Sequence, residues 1–197
     1  MPHYDFIEIG TSDSATLIGK ATPTMRGISV EPVRQYLDRL PNRPLVIKVN
    51  AAISNVSGMT NIHYVPDAVR IAHGLPSWMK GTNSIGAPHP TVVRHLTRKG
   101  LPLNLIVAEP VAMISLTDLF AQYEVESVDY LKIDTEGHDT VIMNMLLDTL
   151  TVKPRRIRFE SNCLSDKAAV TNICSRLIAL GYSIRQTQQD TYATLGD

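Results

Sequence analysis

Three carboxylates and an imidazole lie within six consecutive residues, Asp134–Asp139. They follow Tyr130–Ile133, an apolar stretch interrupted by Lys132, which predicts a buried strand. Open α/β sheets bind their ligands at the carboxyl edge, where such a strand would deliver these side chains. Acids beside a core strand are costly unless they are paired, hydrogen-bonded or bound to a metal. A helix N-terminus is the alternative, because acids also satisfy free N–H groups, but capping requires fewer acids than this segment holds.

Two kinds of chemistry fit this cluster, namely proton removal and metal binding. His138 is the best candidate for a general base because the unperturbed pKa of imidazole lies near neutrality. Asp134 ends one strand, while Glu160 and Asn162 end the next, so their oxygens could hold a hard divalent ion such as Mg²⁺ or Mn²⁺. Alternatively, the acids form structural ion pairs with Lys132 and with arginines of the same strands.

Strand and helix patterns alternate along most of the chain. The alternation predicts a mostly parallel seven-stranded α/β sheet with helices on both faces and an antiparallel pair at the end. The predicted strands are Asp5–Ile9, Gly27–Glu31, Pro44–Asn50, the strand ending at Asp134, Arg156–Glu160, Tyr182–Gln186 and Thr191–Leu195. The predicted helices are Ala15–Lys20, Val33–Leu40, one ending near Leu150, and Lys167–Leu180.

One segment, Asn55–Pro110, breaks the alternation and is called the insertion below. It holds Trp78, the Gly- and Pro-containing stretch Gly81–Pro90, and four of the six histidines. A long irregular segment is typical of a lid or binding loop, or else of disorder. Trp and His next to Gly and Pro favour a lid. Each histidine alone is more typical of a surface or capping residue, but His63 and His89 are the alternative candidates for a base.

The first three strand ends predict a nucleoside site. Gly10 would let backbone approach a ligand, and Glu31, about 20 residues later, could accept hydrogen bonds from both ribose hydroxyls. The turn Gly10–Ser14 has one glycine where a dinucleotide fingerprint has three, which argues for a smaller, positively charged adenosyl ligand. Glu8 and Asp13 near the turn favour the same ligand. Glu31 could instead simply begin a helix.

Six blocks of the chain occur in the order seen in a known family. They are Ile7–Asp13, Val30–Pro32, Asn50–Ile53, Ser115–Phe120, Lys132–Gly137 and Arg158–Glu160. With them the chain resembles, over nearly its whole length, the FkbM family of S-adenosylmethionine-dependent O-methyltransferases, which have the class I Rossmann-like fold. The Lys-Ile-Asp-x-Glu-Gly block is the most specific element.

The resemblance implies where the cofactor binds. It places Gly10, Thr11, Glu31, Asn50 and Ala51 along the cofactor pocket, and we add the neighbouring residues Glu8, Ser12, Asp13 and Ala52. The chain departs from the family pattern at two points. A second glycine that is frequent in the first turn is replaced by Ser12 and Ser14, and the last acid of the Asp-x-Glu-Gly-x-Glu pattern is Asp139. The acids also resemble the layout of metal-dependent enzymes of this fold, such as the catechol and macrolide-sugar O-methyltransferases.

Methyl transfer to a hydroxyl requires an oriented acceptor and removal of its proton, by a base or with a Lewis-acid metal. We predict that a hydroxyl of a sugar or glycan is methylated, since aromatic residues make up only 6% of the chain. The alternatives are a non-sugar hydroxyl on a small molecule and a non-catalytic nucleoside-binding scaffold. The predicted catalytic residues are Lys132, Asp134 and His138, and the predicted acceptor contacts are Trp78, Ser84, His89 and Glu136.

Composition bounds the remaining possibilities. The 197 residues, 44% of them apolar, fit a single domain over residues 1–197. Lys+Arg and Asp+Glu are equal at 19 each, which predicts no binding to nucleic acid, and no apolar run approaches the roughly 20 residues that span a bilayer. Two cysteines without metal-ligand spacing and the lack of a signal-peptide pattern predict a cytoplasmic protein. The first strand begins within five residues of Met1, so either the usual preceding helix is dispensable or the chain was cut from a longer polypeptide.

Overall fold

The computed structural model describes residues 2–13 and 16–196. The strands are β1 (His3–Ile9), β2 (Gly27–Val30), β3 (Val46–Val49), β4 (Ala52–Ser54), β5 (Gly58–Tyr64), β6 (Ser84–Ile85), β7 (Val107–Ser115), β8 (Ser127–Ile133), β9 (Arg156–Glu160), β10 (Tyr182–Gln186) and β11 (Asp190–Leu195). The α-helices are α1 (Leu17–Lys20), α2 (Arg34–Arg39), α3 (Asp67–Ala72), α4 (Pro90–Arg98), α5 (Leu116–Gln122), α6 (Asp139–Thr149) and α7 (Lys167–Ala179), and two 3₁₀ turns cover Ser77–Lys80 and Leu103–Leu105.

Seven strands form the main sheet in the order β3-β2-β1-β8-β9-β11-β10. All neighbours are parallel except β11, which is antiparallel to both β9 and β10. The predicted α/β fold, mostly parallel with an antiparallel C-terminal hairpin, is therefore confirmed. In the centre of the sheet Ile7 of β1 pairs in register with Leu131 of β8 and with Ile28 of β2.

Both faces of the main sheet are buried, as parallel sheets require. Ile7 and Ile9 belong to the large core that α5, α6 and α7 cover, and both are almost fully buried. Phe6, the residue before Ile7, belongs to a smaller core with Ile18 of α1 and Leu37 of α2. Since neighbouring residues of β1 face opposite sides, the helices lie on both faces of the sheet. None of the described helices is long and apolar enough to cross a membrane.

Several predicted boundaries shift by a few residues. Strands β2 and β3 end before Glu31 and Asn50, so both polar residues lie in the loops beyond the sheet. Helix α1 begins at Leu17, and Thr16 caps it by accepting a hydrogen bond from the N–H of Gly19 at 3.1 Å. The predicted start of this helix at Ala15, like Ser14 of the first turn, falls outside the described residues.

The insertion contributes β5, β6 and the start of β7 to a second sheet with the order β4-β7-β5-β6. The expectation of irregular structure is therefore wrong. Strand β5 is antiparallel to β7 along its whole length, yet only Ile62 and Tyr64 among its seven residues are buried. Alternation of apolar and polar residues is the main sequence signal of a strand, and β5 shows it only at its end. A separate small core, which includes Met79 of the first 3₁₀ turn and Leu96 of α4, forms among the helical segments of the insertion.

Candidate functional site

The carboxyl ends of β1, β2 and β8 meet residues of the insertion at a cavity of about 190 Å³. Six of the nine predicted cofactor residues line this cavity, namely Gly10, Thr11, Ser12, Glu31, Ala51 and Ala52. The predicted catalytic residues Lys132, Asp134 and His138 line it too, together with Glu136. The structure therefore brings most of the predicted cofactor residues and all three predicted catalytic residues to one cavity.

Gly10 is required by the packing of two strand ends. It has a φ of +77°, and a Cβ built on it would lie 1.9 Å from the carbonyl oxygen of Asp134. Any side chain there would force β1 and β8 apart. Two residues on, Ser12 has a φ of 49°, a backbone conformation that costs a non-glycine residue about 1–2 kcal/mol. The first turn thus keeps a glycine-like shape where the family often has a second glycine.

Glu31 is held rigidly at the mouth of this turn. Its Oε2 accepts a hydrogen bond from the N–H of Ser12 at 2.6 Å, and its Oε1 accepts one from the N–H of Val33 at 2.9 Å. The side chain is buried, and burial raises the pKa of Glu31 to about 7 despite these two bonds. Each carboxylate oxygen can accept a further hydrogen bond, so Glu31 retains acceptors for a ligand.

Three predicted cofactor residues do not line the cavity and instead support its walls. The buried carboxylate of Glu8 accepts a hydrogen bond from Lys132 Nζ at 2.9 Å. The amide of Asn50 donates to the carbonyl oxygens of Glu31 and Pro32 at 2.9 and 2.8 Å, and so fixes the loop after β2. Asp13 belongs to a group of ion pairs described next.

Five charged side chains connect the first turn to the insertion, and they are called the ionic bridge below. Arg39 lies 3.0 Å from Asp13 and 2.6 Å from Asp67, the first residue of α3. Lys80 also contacts Asp13 and lies 3.8 Å from Asp67, while Arg70 lies 3.2 Å from Asp67. Since the two aspartates are mostly buried, solvent screens these pairs less than it screens exposed ones.

A cluster of carboxylates occupies the ends of β8 and β9. One oxygen each of Asp134, Glu136 and Glu160 lies within 4.8 Å of the others. Burial, followed by the neighbouring carboxylates, raises the pKa of Glu136 to about 7 and that of Glu160 to about 8. The Oε2 of Glu160 is buried without a hydrogen-bond partner among the described residues. Such a group of half-buried carboxylates could hold a hard divalent cation, which would supply the missing charge and the missing partner.

The membership of this cluster differs from the predicted metal set. Asn162 donates to Glu160 Oε1 at 2.7 Å, and its own Oδ1 accepts a hydrogen bond from the N–H of Leu164 at 2.8 Å. Its amide oxygen already accepts one hydrogen bond, and Glu136 joins Asp134 and Glu160 in the cluster. The alternative of structural ion pairs applies in part, because Lys132 lies 3.5 Å from Asp134, whereas Arg158 pairs with Asp190.

Asp139, the first residue of α6, has a structural role. One carboxylate oxygen accepts hydrogen bonds from the N–H and the hydroxyl of Thr135, and the other accepts one from the N–H of Glu160 at 3.0 Å. These bonds join the ends of β8 and β9. They hold the carboxylates of Asp134 and Glu160 on neighbouring strands at a fixed spacing.

His138 precedes the first residue of α6 and lines the cavity. Its Nε2 lies 2.8 Å from the hydroxyl oxygen of Ser54, which ends β4. Burial lowers the pKa of His138, so the imidazole is neutral near pH 7 and can accept a proton. Ser54 was not predicted as a site residue, although it directly follows the Asn50–Ile53 block.

His89 approaches the carboxylate cluster from the insertion. Its side chain is only 3% exposed, and its Nε2 lies 3.5 Å from Glu136 Oε2. The Nδ1 of His89 accepts a hydrogen bond from the N–H of Thr91, so in the neutral ring Nε2 carries the proton. A protonated nitrogen cannot bind a metal ion. His89 is therefore a potential donor to Glu136 rather than a fourth metal ligand.

The other predicted acceptor contacts lie away from the cavity. Trp78 is 42% exposed and stacks edge-on against His95 with 5.6 Å between ring centroids. The hydroxyl of Ser84 donates to the carbonyl oxygen of Ala87 at 2.7 Å, and His63 lies on β5. Asn83 was not predicted as a site residue, but it lines the cavity. Its Oδ1 is buried without a hydrogen-bond partner among the described residues. Its only sequence signal is its position within Gly81–Pro90.

A solved structure shares the fold of this chain. A methyltransferase FkbM from Methylobacillus flagellatus KT superposes with a TM-score of 0.52 at 11% sequence identity, over 98% of this chain and 44% of that protein. The chain thus spans less than half the length of that structure. A precorrin-6y C5,15-methyltransferase from Geobacter metallireducens GS-15 gives a TM-score of 0.42 at 9% identity, over 100% of this chain and 82% of that one, which is too low to support an argument.

Comparison with family models gives the particular family. Residues 8–184 match the model described as the methyltransferase FkbM domain, so the chain belongs to the FkbM methyltransferase family. Membership implies S-adenosylmethionine as the methyl donor. No curated protein matches the chain by sequence. The family predicted from the six sequence blocks is confirmed.

Proposed function

We propose that this methyltransferase transfers the methyl group of S-adenosylmethionine to a hydroxyl of a sugar or glycan. One observation supports the proposal above all others. A single cavity is lined by Glu31, an acceptor suited to ribose hydroxyls, and by His138, a neutral imidazole suited to take a proton. A nucleoside-binding scaffold has no need of the second group.

The donor would lie along the ends of β1, β2 and β3. Glu31 would accept hydrogen bonds from the ribose hydroxyls. Because Gly10 has no side chain, the donor could approach the backbone of the turn after β1 closely. Ala51 and Ala52 leave room for a flat base against the wall of the cavity.

On the acceptor side, the proton of the reacting hydroxyl would pass to His138 while the oxygen takes the methyl group from sulfur. One O–C bond forms and one S–C bond breaks, so the sulfur leaves without its positive charge. Asn83 Oδ1 and the carboxylate of Glu136 offer hydrogen-bond acceptors to further hydroxyls of the acceptor. Lys132 would keep Asp134 and Glu8 in place, since it contacts both.

We further propose a divalent cation, Mg²⁺ or Mn²⁺, bound by Asp134, Glu136 and Glu160. The three carboxylate oxygens within 4.8 Å of one another support this set. When bound, the cation would orient the acceptor hydroxyl and lower its pKa. Asn162 would assist indirectly by holding Glu160 through its hydrogen bond.

A polar acceptor is favoured over a flat aromatic one. Among the described residues that line the cavity, none is Phe, Tyr or Trp, and stacking walls are the usual means of binding an aromatic substrate. Methylation of a non-sugar hydroxyl remains the second candidate because Asn83 and Glu136 would bind any polyol. A cytoplasmic location stays a prediction.

Calorimetric titration with S-adenosylmethionine, followed by turnover on a panel of sugars and of matched phenols, tests the proposal. We expect heat on titration and formation of S-adenosylhomocysteine with at least one sugar. No heat would show a scaffold without a donor site. Heat with turnover only on phenols or other non-sugar hydroxyls would replace the sugar by the second candidate.

A further inference from the structure

We propose that Ser54 and Asn55 position the imidazole of His138 and leave its Nδ1, rather than its Nε2, as the nitrogen that takes the proton. This inference rests on the proposed role of His138 as general base. The hydroxyl oxygen of Ser54 lies 2.8 Å from His138 Nε2 and 3.2 Å from Asn55 Oδ1. The three side chains form a continuous chain of hydrogen bonds that begins at the first residue of the insertion.

The direction of these bonds follows from counting protons. An amide oxygen can only accept, so the bond between Ser54 and Asn55 uses the single hydroxyl proton of Ser54. The oxygen of Ser54 is then left to accept from His138, and Nε2 must carry the proton. A neutral imidazole has one N–H, so the lone pair lies on Nδ1.

A base oriented by a second side chain and a third group is a recurrent arrangement in catalysis. During transfer, the proton of the acceptor hydroxyl would pass to Nδ1, and the ring would become an imidazolium with its Nε2–H still bonded to Ser54. Ser54 is buried and ends β4, which pairs with β7 through Ser54 and Ser115. The second sheet would therefore act on the chemistry by holding the base, even though Ser54 does not line the cavity.

The first test is a direct observation that needs no variant. In ¹⁵N NMR spectra of histidine-labelled protein, the His138 signals should show the tautomer protonated at Nε2, with assignment by loss of those signals in His138→Gln. The opposite tautomer, protonated at Nδ1, would overturn the inference. It would leave the methyltransferase proposal intact, because the base would then be Nε2.

The second test uses two variants of Ser54. Ser54→Ala should lower kcat by about 10–100-fold, the scale typical of residues that orient a reacting group, with the KM for S-adenosylmethionine within about twofold of wild type. Ser54→Thr keeps the hydroxyl and should recover most of kcat. Ser183→Ala, which removes a hydroxyl bonded to the carbonyl of Thr194 on the far hairpin, is the matched control and should be neutral.

The outcomes separate the two proposals. Unchanged kcat in Ser54→Ala, or equal loss in Ser54→Thr, would overturn the positioning role while His138 remains the base. Unchanged turnover in His138→Ala would instead overturn the assignment of the base itself. If Ser54→Ala lowered the melting temperature but left the His138 tautomer unchanged, Ser54 would contribute to stability alone. That result would also overturn the inference.

Discussion

The two sheets of this molecule contribute to the cavity in different ways. The main sheet supplies Glu31 and Asp134 from strand ends that emerge from a core closed on both faces, where residues such as Ile7 are fully buried. The second sheet is less well covered, with Met59 of β5 68% exposed. Asn83, which directly precedes β6, lines the cavity, and Ser54 at the end of β4 contacts His138. The proposed ribose acceptor Glu31 is thus anchored in the more deeply packed region, whereas the proposed acceptor contact Asn83 belongs to a smaller one that can vary at lower cost.

The largest effect is expected when the imidazole of His138 is removed, and it should fall on turnover rather than on donor binding. His138→Ala should lower the turnover rate by about 10²–10⁴-fold, the usual contribution of a positioned base. Donor affinity should stay close to wild type, because the donor contacts lie on the first three strand ends. Steady-state kinetics and calorimetry on the same preparation measure both quantities. If most of the turnover persists, the base lies elsewhere, and His63 or His89 of the insertion is next to be tested.

The converse effect is expected at Glu31. Glu31→Ala should weaken S-adenosylmethionine binding by about 1.5–3 kcal/mol, the scale of a lost charged hydrogen bond. A dissociation constant equal to that of wild type would refute the assignment of Glu31 to the ribose.

A pH series provides the control for this variant. The raised pKa of Glu31, about 7, means that its carboxyl is protonated below that pH and ionised above it. Ionised carboxylate accepts hydrogen bonds more strongly, so donor affinity should rise by about tenfold between about pH 6 and about pH 8. The rise should be smaller in Glu31→Gln than in wild type. Identical pH profiles for the two proteins would place the titrating group elsewhere.

Removal of divalent ions tests the carboxylate cluster. Exhaustive chelation should lower turnover by about tenfold or more, and added Mn²⁺ or Mg²⁺ should restore it. Glu136→Gln should weaken Mn²⁺ binding by about 10–100-fold in calorimetry. A second group that could hold a metal ion, His3, Asp5 and Asp129, lies toward the amino ends of β1 and β8. Titrations should therefore use a His3→Gln background, in which this second group is weakened. Full turnover after chelation would return Asp134, Glu136 and Glu160 to orienting roles.

The smallest effect is expected in the insertion, at Asn83. Asn83→Ala removes a buried, unpartnered acceptor from the cavity and should raise the KM for the acceptor by about 5–10-fold, the scale of one hydrogen bond. Donor affinity and kcat should change little. Asn83→Asp keeps the acceptor oxygen and is the matched control. A donor KM that rises in step with the acceptor KM would contradict the division between the two sides of the cavity.

Sequence predicted the main sheet well because its strands are short, apolar and separated by helical patterns. It failed for β5, β6 and β7 of the second sheet, where half-exposed strands show little alternation. Site residues divide in a similar way. Gly10 and Glu31 were predictable because a strand end fixes where they lie. Asn83 and Ser54 were missed because only the tertiary fold brings Asn83 to the cavity and Ser54 to His138.

The same tertiary dependence explains the residues that the structure places outside the cavity. Asp13 and Glu8 follow the sequence pattern of a donor site, but they pair with Arg39 and Lys132, which are distant in sequence. Asn162 was predicted as a metal ligand from its position after β9. In the structure its oxygen accepts a hydrogen bond from the N–H of Leu164. The partner of a loop side chain depends on the conformation of the loop, which the sequence pattern does not determine.

The ionic bridge sets a rule for building hybrid enzymes. Exchange of the insertion for that of another family member is an obvious way to alter which molecule is methylated, since Asn83 and Gly81 come from it. Asp67 and Lys80 would leave with the exchanged segment, while Asp13 would stay behind in the recipient. A graft that lacks Lys80 would leave the mostly buried Asp13 with Arg39 as its remaining cationic partner. Functional hybrids should therefore carry matched charges at positions 67 and 80.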